Sequence, residues 1–503
     1  MEIRQTDWAA KWGRYSPDKI AFKDHDTGRC LTYRQLNGLG NRLAGYLHRT
    51  YGIGKGDRIA ILAENCLEYL VLFAVAQKTG CILVPLNYRL TGAEIDYLLK
   101  NATPCLVMGE NKFLPTLEAA PAYQRIAHHW TMEELAAYCD PSSLTDQNQH
   151  FSPVVLDEDD PIFILYTSGT TGFPKGALYT HKMLFWNSIN TAMSLIINSE
   201  SRTVNCMPPF HTGGWNVLTT PFLHHGGYTC LIRKFDPATV LQLLERERTT
   251  IFMGVPTMLK MMADLPEFET ADFSNLHYII VGGESMPIPL IERWHQKGVP
   301  IRQGYGMTEV GPNLSSLHQD DAIRKKGSIG RPNFYVDIRV ADDAGEAVSP
   351  GISGELLLRG PMVTPGYWQN PEATDKAMKD GWFCTGDRVS QDEEGYLYVV
   401  DRIKNMYISG GENVYPAEVE RVLLSHPAVA EAAVVGVPDE QWGESGKAYI
   451  VRRIEAEFSE GQLLKHCQSN LAKFKVPKLL VLVDSLPKND TGKIDRQALK
   501  NWN

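Results

Sequence analysis

Short apolar runs alternate with longer segments of helical period along much of the chain. The run 58–62 is followed by a helix-compatible segment, about 66–78, and then by a second apolar run, 81–85. A strand, a helix and a strand at this spacing form a right-handed crossover on a parallel sheet. Because the same alternation returns between residues 204 and 281, the pattern predicts an α/β fold.

The length of the chain and the pattern of its last third predict more than one domain. A chain of 503 residues is long for a single core. Residues 327–400 are rich in short strands between Pro and Gly turns, which indicates a small barrel-like region. We therefore predict a large N-terminal domain of parallel and mixed sheets with helices, residues 1–400, followed by a small α+β domain, residues 401–503.

Two helix starts are marked by capping residues. Thr32 is a plausible N-cap for a helix whose apolar face carries leucines at positions 36, 39, 43 and 47. Thr91 and Glu94 fit a capping box that opens a helix ending near Asn101.

Composition and charge exclude several classes of protein. With 43% apolar and 22% charged residues the chain is typical of globular proteins, and its formal net charge of −9 argues against nucleic acid as a partner. We find no apolar run of membrane-spanning length and no apolar core of a signal peptide at the N-terminus. The nine cysteines are scattered without a C-x-x-C pair, so we expect reduced thiols and a cytoplasmic location.

The stretch Tyr166–Gly176 has the composition of a phosphate-binding loop. It follows an apolar strand, 162–165, and a helix-compatible pattern resumes from about Ala177. Glycines let the backbone approach an anion, hydroxyls donate hydrogen bonds and the lysine adds positive charge. The stretch is not a Walker A motif, because Gly176 follows the lysine where Ser or Thr is required. The candidate phosphate ligands are Thr167, Ser168, Gly169, Thr170, Thr171, Gly172 and Lys175.

A second glycine-rich motif, 304–309, suits adenine and magnesium. The ring of Tyr305 lies between two glycines and offers a stacking face, while Glu309 is a hard oxygen ligand of the kind that Mg²⁺ prefers. Farther upstream, glycines follow the apolar run 278–281, where a flat ligand can approach the backbone. The candidate nucleotide contacts are Gly283, Gly304, Tyr305, Gly306, Met307 and Thr308.

These motifs, in this order, resemble the signatures of the acyl-adenylate-forming superfamily, which includes acyl-CoA synthetases, luciferases and adenylation domains of peptide synthetases. The resemblance covers nearly the whole chain and is greatest to fatty-acyl- and aryl-CoA synthetases. It implies a ligase that joins a carboxylic acid to AMP and then passes the acyl group to coenzyme A. The implied cofactors are ATP, Mg²⁺ and coenzyme A, with Glu309 as the magnesium ligand.

The resemblance assigns roles to single residues outside the two motifs. His211 matches the position beside the carboxylate substrate, and Trp215 matches a tryptophan that gates the acyl tunnel of long-chain synthetases. Lys493, in the loop 487–495, matches the catalytic lysine. The implied catalytic residues are Lys493, His211, Thr170 and Glu309, and the implied acid pocket is lined by His211, Trp215, Gly283, Met307 and Val310.

The resemblance also implies a mobile C-terminal domain. Its hinge falls at Asp401, and rotation about it would exchange one face of the small domain for another between the two half-reactions. The implied nucleotide contacts are Glu284, whose side chain is given no role, Asp387 at the ribose, Val399, Arg402 and Lys493. The implied coenzyme A contacts are Gly410, Gly411, Trp442 and Lys478, whereas Val476 stands where some related ligases carry arginine.

The sequence leaves the acid and the acceptor open. We favour a fatty acid of medium or long chain, with an aromatic acid of the benzoate or cinnamate type as the alternative. A freestanding adenylation enzyme that donates to a carrier protein and a luciferase-type monooxygenase would share these motifs. A non-enzymatic nucleotide-binding protein is disfavoured because Lys493, Glu309 and the phosphate loop are intact. The expected partners are the acid, ATP and coenzyme A; peripheral membrane contact and a homodimer are left open.

Overall fold

The computed structural model describes most of the chain, which divides into two compact units. The described residues are 7–145, 150–167, 174–283, 286–402, 405–409, 412–439, 442–453, 459–471, 473–489 and 492–502. The first unit comprises Met1–Asp337 and Leu358–Phe383, and the second comprises Ile338–Leu357 and Cys384–Asn503. This division differs from the one predicted at residues 400 and 401, because strands before residue 400 group with the C-terminal part. The hinge at Asp401 stays a prediction.

A six-stranded sheet in the first unit confirms the predicted crossovers. Its strands follow one another in the order His128–Thr131, Leu106–Gly109, Arg58–Leu62, Ile82–Pro85, Pro161–Thr167 and Lys175–Thr180. The first five are parallel, and only the last is antiparallel to its neighbour. The inner strands are almost wholly buried, as expected of a parallel sheet that is covered on both faces.

The helices that pack near this sheet begin where the capping residues predict. Helix Tyr33–Tyr51 has Thr32 as its N-cap, and helix Gly92–Ala102 begins with the capping box of Thr91 and Glu94. Helix Leu67–Thr79 is buried along its whole length. Further α-helices in the described part of the first unit are Trp8–Tyr15, Leu114–Glu118, Met132–Tyr138, His181–Leu195, Thr219–His224, Pro237–Arg246, Pro256–Ala263, Ile288–Gln296 and Pro371–Ala377.

Two further sheets complete the first unit. The four-stranded sheet has the order Cys30–Thr32, Ile20–Asp24, Tyr228–Leu231 and Arg202–Asn205. The five-stranded sheet has the order Ile251–Gly254, Tyr278–Val281, Ile301–Tyr305, Ser315–Ser316 and Arg331–Pro332, of which the first three strands are parallel. Two of these parallel strands, Tyr278–Val281 and Ile301–Tyr305, end at the glycine motifs predicted to contact the nucleotide.

The helix predicted from about Ala177 is wrong. Residues Lys175–Thr180 form a strand that pairs antiparallel with Pro161–Thr167, and the helix begins only at His181, after the N-cap Thr180. The pairing partner decides the conformation here, because the burial of 175–180 fits a strand laid against the apolar run before the loop. The phosphate loop therefore joins the two strands of a hairpin.

The second unit contains two sheets and three helices among its described residues. The first sheet, most of whose residues belong to this unit, forms the predicted barrel-like region with the strands Asp337–Ala341, Ser353–Arg359, Trp382–Gln391 and Leu397–Arg402. The second sheet has the order Glu412–Val414, Tyr407–Ser409, Gly443–Arg452 and Val429–Asp439, with Leu479–Leu482 also paired to Gly443–Arg452. The helices are Pro416–Leu424, Glu460–Asn470 and Arg496–Lys500. The α/β class and the α+β C-terminal part are thus confirmed.

Across the described residues, every helix falls short of the combined length and apolar character that crossing a bilayer requires.

His181 makes the stability of the first unit sensitive to acid. The side chain is 1% exposed, and neither ring nitrogen has a hydrogen-bond partner within the described part of the chain. Burial lowers the pKa of His181 from 6.5 to about 4. Between these pH values the unfolded chain binds a proton that the folded chain does not, so the free energy of unfolding falls as the pH falls.

We expect this loss to reach about 3 kcal/mol once the pH has fallen below about 4. Urea unfolding followed by tryptophan fluorescence at pH 7 and pH 4.5 measures most of it. His181→Leu, which removes the titrating group, should lose less stability than the parent over the same range. An equal loss in both proteins would contradict the assignment.

Candidate active site

The phosphate hairpin brings two of its predicted ligands together. Thr167 and Lys175 are paired across the hairpin at the point where the loop begins and ends, and Thr167 Oγ1 lies 3.5 Å from the carbonyl oxygen of Lys175. The predicted ligands Ser168, Gly169, Thr170, Thr171 and Gly172 lie outside the described residues.

Glu309 lies beside this hairpin. It belongs to the short 3₁₀ helix Thr308–Val310 and is 8% exposed. Its Oε1 accepts hydrogen bonds from Thr167 Oγ1 at 3.3 Å and from the hydroxyl of Tyr367 at 3.0 Å. Burial, together with the charge of Glu309, raises the pKa of Tyr367 far above its usual value, so the hydroxyl stays protonated. The predicted magnesium ligand therefore sits at the mouth of the phosphate loop.

The segment 364–368, which we call the strap, joins the hairpin to Glu309. Leu178 N–H donates to the carbonyl of Gly366 at 3.0 Å, and Trp368 N–H donates to the carbonyl of Gly176 at 2.7 Å. Thr364 N–H donates to the backbone carbonyl of Glu309 at 2.7 Å. The strap thus runs along the edge of the hairpin and fixes the position of the 3₁₀ helix relative to it.

Glu309 fits a magnesium ion that also binds phosphate oxygens. Both described donors contact Oε1, and no described residue donates a hydrogen bond to Oε2. The described residues contain no group of three metal-ligating side chains. Mg²⁺ is commonly held by one or two carboxylates with water and substrate phosphates, and a single carboxylate at a phosphate loop suits that coordination.

The adenine motif, residues 304–309, begins in the last two residues of the strand Ile301–Tyr305. Gly306 is required sterically, because a Cβ there would lie 2.2 Å from the carbonyl oxygen of Pro312. Tyr305 is half-buried, and its carbonyl accepts from Leu314 N–H at 2.9 Å. Gly283 has φ +86°, a conformation that favours glycine. The structure places Gly304, Met307 and Thr308 in the same motif, whereas Glu284 lies outside the described residues.

His211 precedes a π-helical turn, Gly213–Val217, and Trp215 lies within that turn. His211 is half-buried, and its ring contacts that of Phe210 at 4.7 Å between centroids. Trp215, in contrast, is 2% exposed, and its indole N–H donates to the carbonyl of Pro209 at 2.7 Å. A π-helical turn is rare and is often found at functional sites.

Trp215 is part of the main hydrophobic core of the first unit. Its ring stacks on Phe73 at 5.7 Å and lies 5.1 Å from the ring of Phe163. A cavity of about 10 Å³ lies beside it and is also lined by Tyr69 and Leu70. These contacts are those of a core residue, and the gating role of Trp215 stays a prediction. Val310, also predicted to line the acid pocket, is fully buried.

The second unit brings two predicted nucleotide contacts together. Asp387, which is 2% exposed, lies directly opposite Arg402 in paired antiparallel strands. Asp387 lies within the strand Trp382–Gln391, and its backbone N–H donates to Thr385 Oγ1 at 3.0 Å. Val399 is half-buried on the same strand as Arg402, opposite Val389. Asp401 lies in this strand as well, next to a register shift in the pairing.

Lys493 is exposed on a loop that is closed by hydrogen bonds. Asn489 N–H donates to the carbonyl of Lys493 at 2.7 Å, and Lys493 N–H donates to Asn489 Oδ1 at 3.0 Å. Gly492 provides the left-handed turn, with φ +83°. Both hydrogen bonds hold the backbone of Lys493 against Asn489.

The predicted coenzyme A contacts Trp442 and Lys478 are neighbours in the second unit. Lys478 Nζ lies 5.5 Å from the centroid of the Trp442 ring, and it pairs with Asp439 at 2.7 Å. Asp439 Oδ1 also accepts from the backbone N–H of Trp442 at 2.9 Å. Gly410 and Gly411 lie outside the described residues.

The strap is the part of the site that the sequence did not indicate. Gly366-Tyr367-Trp368 follows a proline and precedes a short helix, and nothing in its composition points to a ligand. Tyr367 becomes important only because the fold brings it to a carboxylate 58 positions earlier in the chain.

Family models and known proteins match most of the chain, including the residues of the site. The family model described as AMP-binding enzyme matches residues 9–368, and the model for the AMP-binding enzyme C-terminal domain matches residues 418–493. A feruloyl-CoA synthase of Amycolatopsis sp. is 40% identical over 487 residues, which cover 97% of this chain and 96% of that protein.

Two other proteins show the same extent of similarity. The long-chain-fatty-acid–CoA ligase FadD13 of Mycobacterium tuberculosis is 37% identical over 489 residues, which cover 96% of this chain and 95% of that protein. The solved structure of O-succinylbenzoate coenzyme A synthetase (MenE) from Bacillus subtilis, in complex with ATP and a magnesium ion, has a TM-score of 0.87 at 31% identity and covers 100% of both chains.

Proposed function

The chain belongs to the AMP-binding enzyme family, within the acyl-adenylate-forming superfamily, and from this premise we propose that it activates an aromatic carboxylic acid. It is an AMP-forming acid–CoA ligase that uses ATP and Mg²⁺ and acts through an acyl-adenylate. The single observation that carries the proposed assignment of its site is the hydrogen bond from Thr167 of the phosphate hairpin to the carboxylate of Glu309.

The reaction has two steps. First, a carboxylate oxygen of the acid attacks the α-phosphorus of ATP, a new C–O–P linkage forms and pyrophosphate leaves. Next, the thiol of coenzyme A attacks the carbonyl carbon of the acyl-adenylate, the thioester forms and AMP leaves with the electron pair of the broken bond. The first step brings two anions together, and the site must therefore supply fixed positive charge and hydrogen-bond donors.

We propose the following roles in the first step. Lys175, with the loop that it closes, holds the terminal phosphates, and Glu309 holds the magnesium ion. Mg²⁺, when bound, screens the charge of the triphosphate. His211 lies beside the carboxylate of the acid, and Lys493 neutralises charge at the reacting carboxylate and α-phosphate. These roles rest on the resemblance and on the geometry around Glu309.

We propose further roles for the nucleotide and for coenzyme A. Asp387 accepts from the ribose hydroxyls, and Arg402, opposite it in the sheet, reaches the nucleotide. Trp442 and Lys478, which lie together on the second unit, contact coenzyme A. The C-terminal part turns about Asp401 between the two steps, so that adenylate formation and thioester formation use different faces of it.

The packing of Trp215 supports an aromatic rather than a long-chain acid. The resemblance of Trp215 to the gate of an acyl tunnel points to long-chain acids. A gate must leave its place, but this indole makes a hydrogen bond and stacks on core rings. The names of two of the similar proteins denote acids that carry a benzene ring. A fatty acid of medium or long chain is the second candidate, favoured by the similarity to the fatty-acid ligase.

Pyrophosphate release across a panel of acids tests the choice. Benzoate, ferulate, 2-succinylbenzoate, octanoate and palmitate should each be measured with and without coenzyme A. We expect an aromatic acid to give the highest kcat/KM, with CoA-dependent consumption of the adenylate. A preference for palmitate would overturn the aromatic proposal, and consumption only by a carrier protein would overturn coenzyme A as the acceptor.

Trp215→Ala separates a core role from a gating role. As a core residue, Trp215 should cost about 3–5 kcal/mol of stability when truncated, and activity with all acids should fall alike. A melting curve beside the acid panel measures both effects. A changed chain-length profile at nearly unchanged stability would restore the gate and the fatty-acid candidate.

We also propose a cytoplasmic location. All nine cysteines are free thiols, and six of them are buried. Unpaired thiols in this number suit a reducing compartment.

A further inference from the structure

We propose that Tyr367 is a positioning residue for the magnesium ligand: its hydroxyl holds Oε1 of Glu309, so that Oε2 is presented to the cation. This inference rests on the proposed function of Glu309. The inference adds a new residue, from the strap, to the proposed magnesium site. This residue has no role in the sequence motifs.

The hydrogen bonds at Glu309 are distributed unequally between its two oxygens. Oε1 accepts from Tyr367 at 3.0 Å and from Thr167 at 3.3 Å. Among the described residues, none donates to Oε2. A carboxylate whose one oxygen is fixed by two donors cannot rotate without losing both, and its other oxygen then keeps one direction.

The backbone determines where the Tyr367 hydroxyl lies. The strap is hydrogen-bonded to the phosphate hairpin on both sides of Tyr367, through Gly366 and Trp368. Thr364 N–H, in the same strap, bonds the carbonyl of Glu309 itself. Since the strap is anchored to both partners, the distance from the hydroxyl to the carboxylate is set by main-chain contacts rather than by a flexible side chain.

The ring of Tyr367 also contacts the positively charged side chain of Lys175. Lys175 Nζ lies 5.3 Å from the ring centroid, within the range of a cation–π contact. One side chain thus touches the cation of the phosphate loop with its face and the anion that binds magnesium with its hydroxyl. Replacement by phenylalanine removes only the second contact, because the ring is retained.

Tyr367→Phe should therefore lower magnesium affinity without lowering intrinsic affinity for ATP. The affinity for ATP is measured by calorimetric titration, without acid or coenzyme A, once in the presence of Mg²⁺ and once in EDTA. We call the first affinity divided by the second the magnesium ratio. We expect this ratio to fall about 10- to 100-fold, the usual cost of losing a residue that orients a metal ligand. ATP affinity in EDTA should stay within about twofold of the parent value, because the variant leaves the ring beside Lys175 in place.

Tyr228→Phe is the matched control. The hydroxyl of Tyr228 donates to a buried carboxylate, Glu247 Oε2, at 2.6 Å, and an arginine lies over its ring. The control removes the same kind of bond, with a cation–π contact retained, at a position without a proposed role in catalysis or binding. Its magnesium ratio should match that of the parent.

A double-mutant cycle of Tyr367→Phe with Glu309→Gln distinguishes a failure of the Tyr367 role from a failure of the Glu309 role. If Tyr367 acts through Glu309, the double variant should lose no more than about twofold beyond Glu309→Gln alone. A ratio lowered by Glu309→Gln but not by Tyr367→Phe would overturn the role of Tyr367 and leave Glu309 as the ligand. A ratio lowered by neither would overturn both assignments. An equal fall in Tyr228→Phe would show general loosening and also overturn the role of Tyr367.

Discussion

Lys493→Ala should lose adenylate formation by about a hundredfold to a thousandfold, yet convert supplied acyl-AMP and coenzyme A to thioester at nearly the parent rate. The first half-reaction places a carboxylate against a triphosphate, and loss of a preorganised cationic donor typically costs this much. The second half-reaction has no such pair of anions at the reacting carbon. Pyrophosphate release measures the first step, and thioester formation from synthetic acyl-AMP measures the second.

Lys488→Ala is the matched control for this prediction. Lys488 belongs to the same loop and pairs with Glu431 at 3.1 Å. Its removal tests whether any loss of positive charge in this loop slows adenylation. We expect both half-reactions of this control to stay near the parent rate. Equal damage to both steps in Lys493→Ala, with a parent-like melting curve, would rule out a division of labour between faces of the C-terminal part.

Glu309→Gln should slow adenylation by about tenfold to a thousandfold and shift the magnesium titration to higher concentration. The amide keeps the shape of the side chain and can still accept from Thr167 and Tyr367, but it removes the negative charge that attracts the cation. Initial rates of pyrophosphate release at a series of Mg²⁺ concentrations provide the measurement. An unchanged titration curve would refute Glu309 as the metal ligand.

Glu247→Gln controls for the loss of a buried carboxylate. Glu247 also accepts from a tyrosine hydroxyl and is 6% exposed, but it pairs with Lys23 at a place without proposed catalytic residues. This variant should lose stability rather than magnesium sensitivity. Comparison of the two melting curves shows whether a slow Glu309→Gln variant is folded.

The sequence predicted helix starts, buried strands and a required glycine, because each of these depends on residues that are close together in the chain. The helix after Thr91 is opened by a side chain three residues away, and it begins as the capping box predicts. The strands of the parallel sheets are continuous apolar runs, which the sequence displays directly. Gly306 of the adenine motif was recognisable for a similar reason, because a backbone position without room for a Cβ requires glycine at that one position.

The sequence could not predict structure that depends on residues far away in the chain. Lys175–Thr180 is a strand because Pro161–Thr167 pairs with it, and its own sequence also suits a helix. The environment of Trp215 is set by rings from a helix and a strand far away in the chain, whereas its gating role stays a prediction. Tyr367 has no local mark at all, since its contact with Glu309 exists only in the folded protein.

The first unit is built from two separate stretches of the chain, and this affects its folding during synthesis. Leu358–Phe383, which includes the strap, is translated only after the chain has passed through Ile338–Leu357 of the other unit. A nascent or truncated chain that ends at Asp337 therefore already contains the phosphate hairpin but leaves Gly176 and Leu178 without their strap partners on the hairpin edge. Such an unpaired edge invites pairing with another chain. The fragment 1–337 is thus a poor choice for expression, and a fragment meant to fold as the first unit should extend through residue 383.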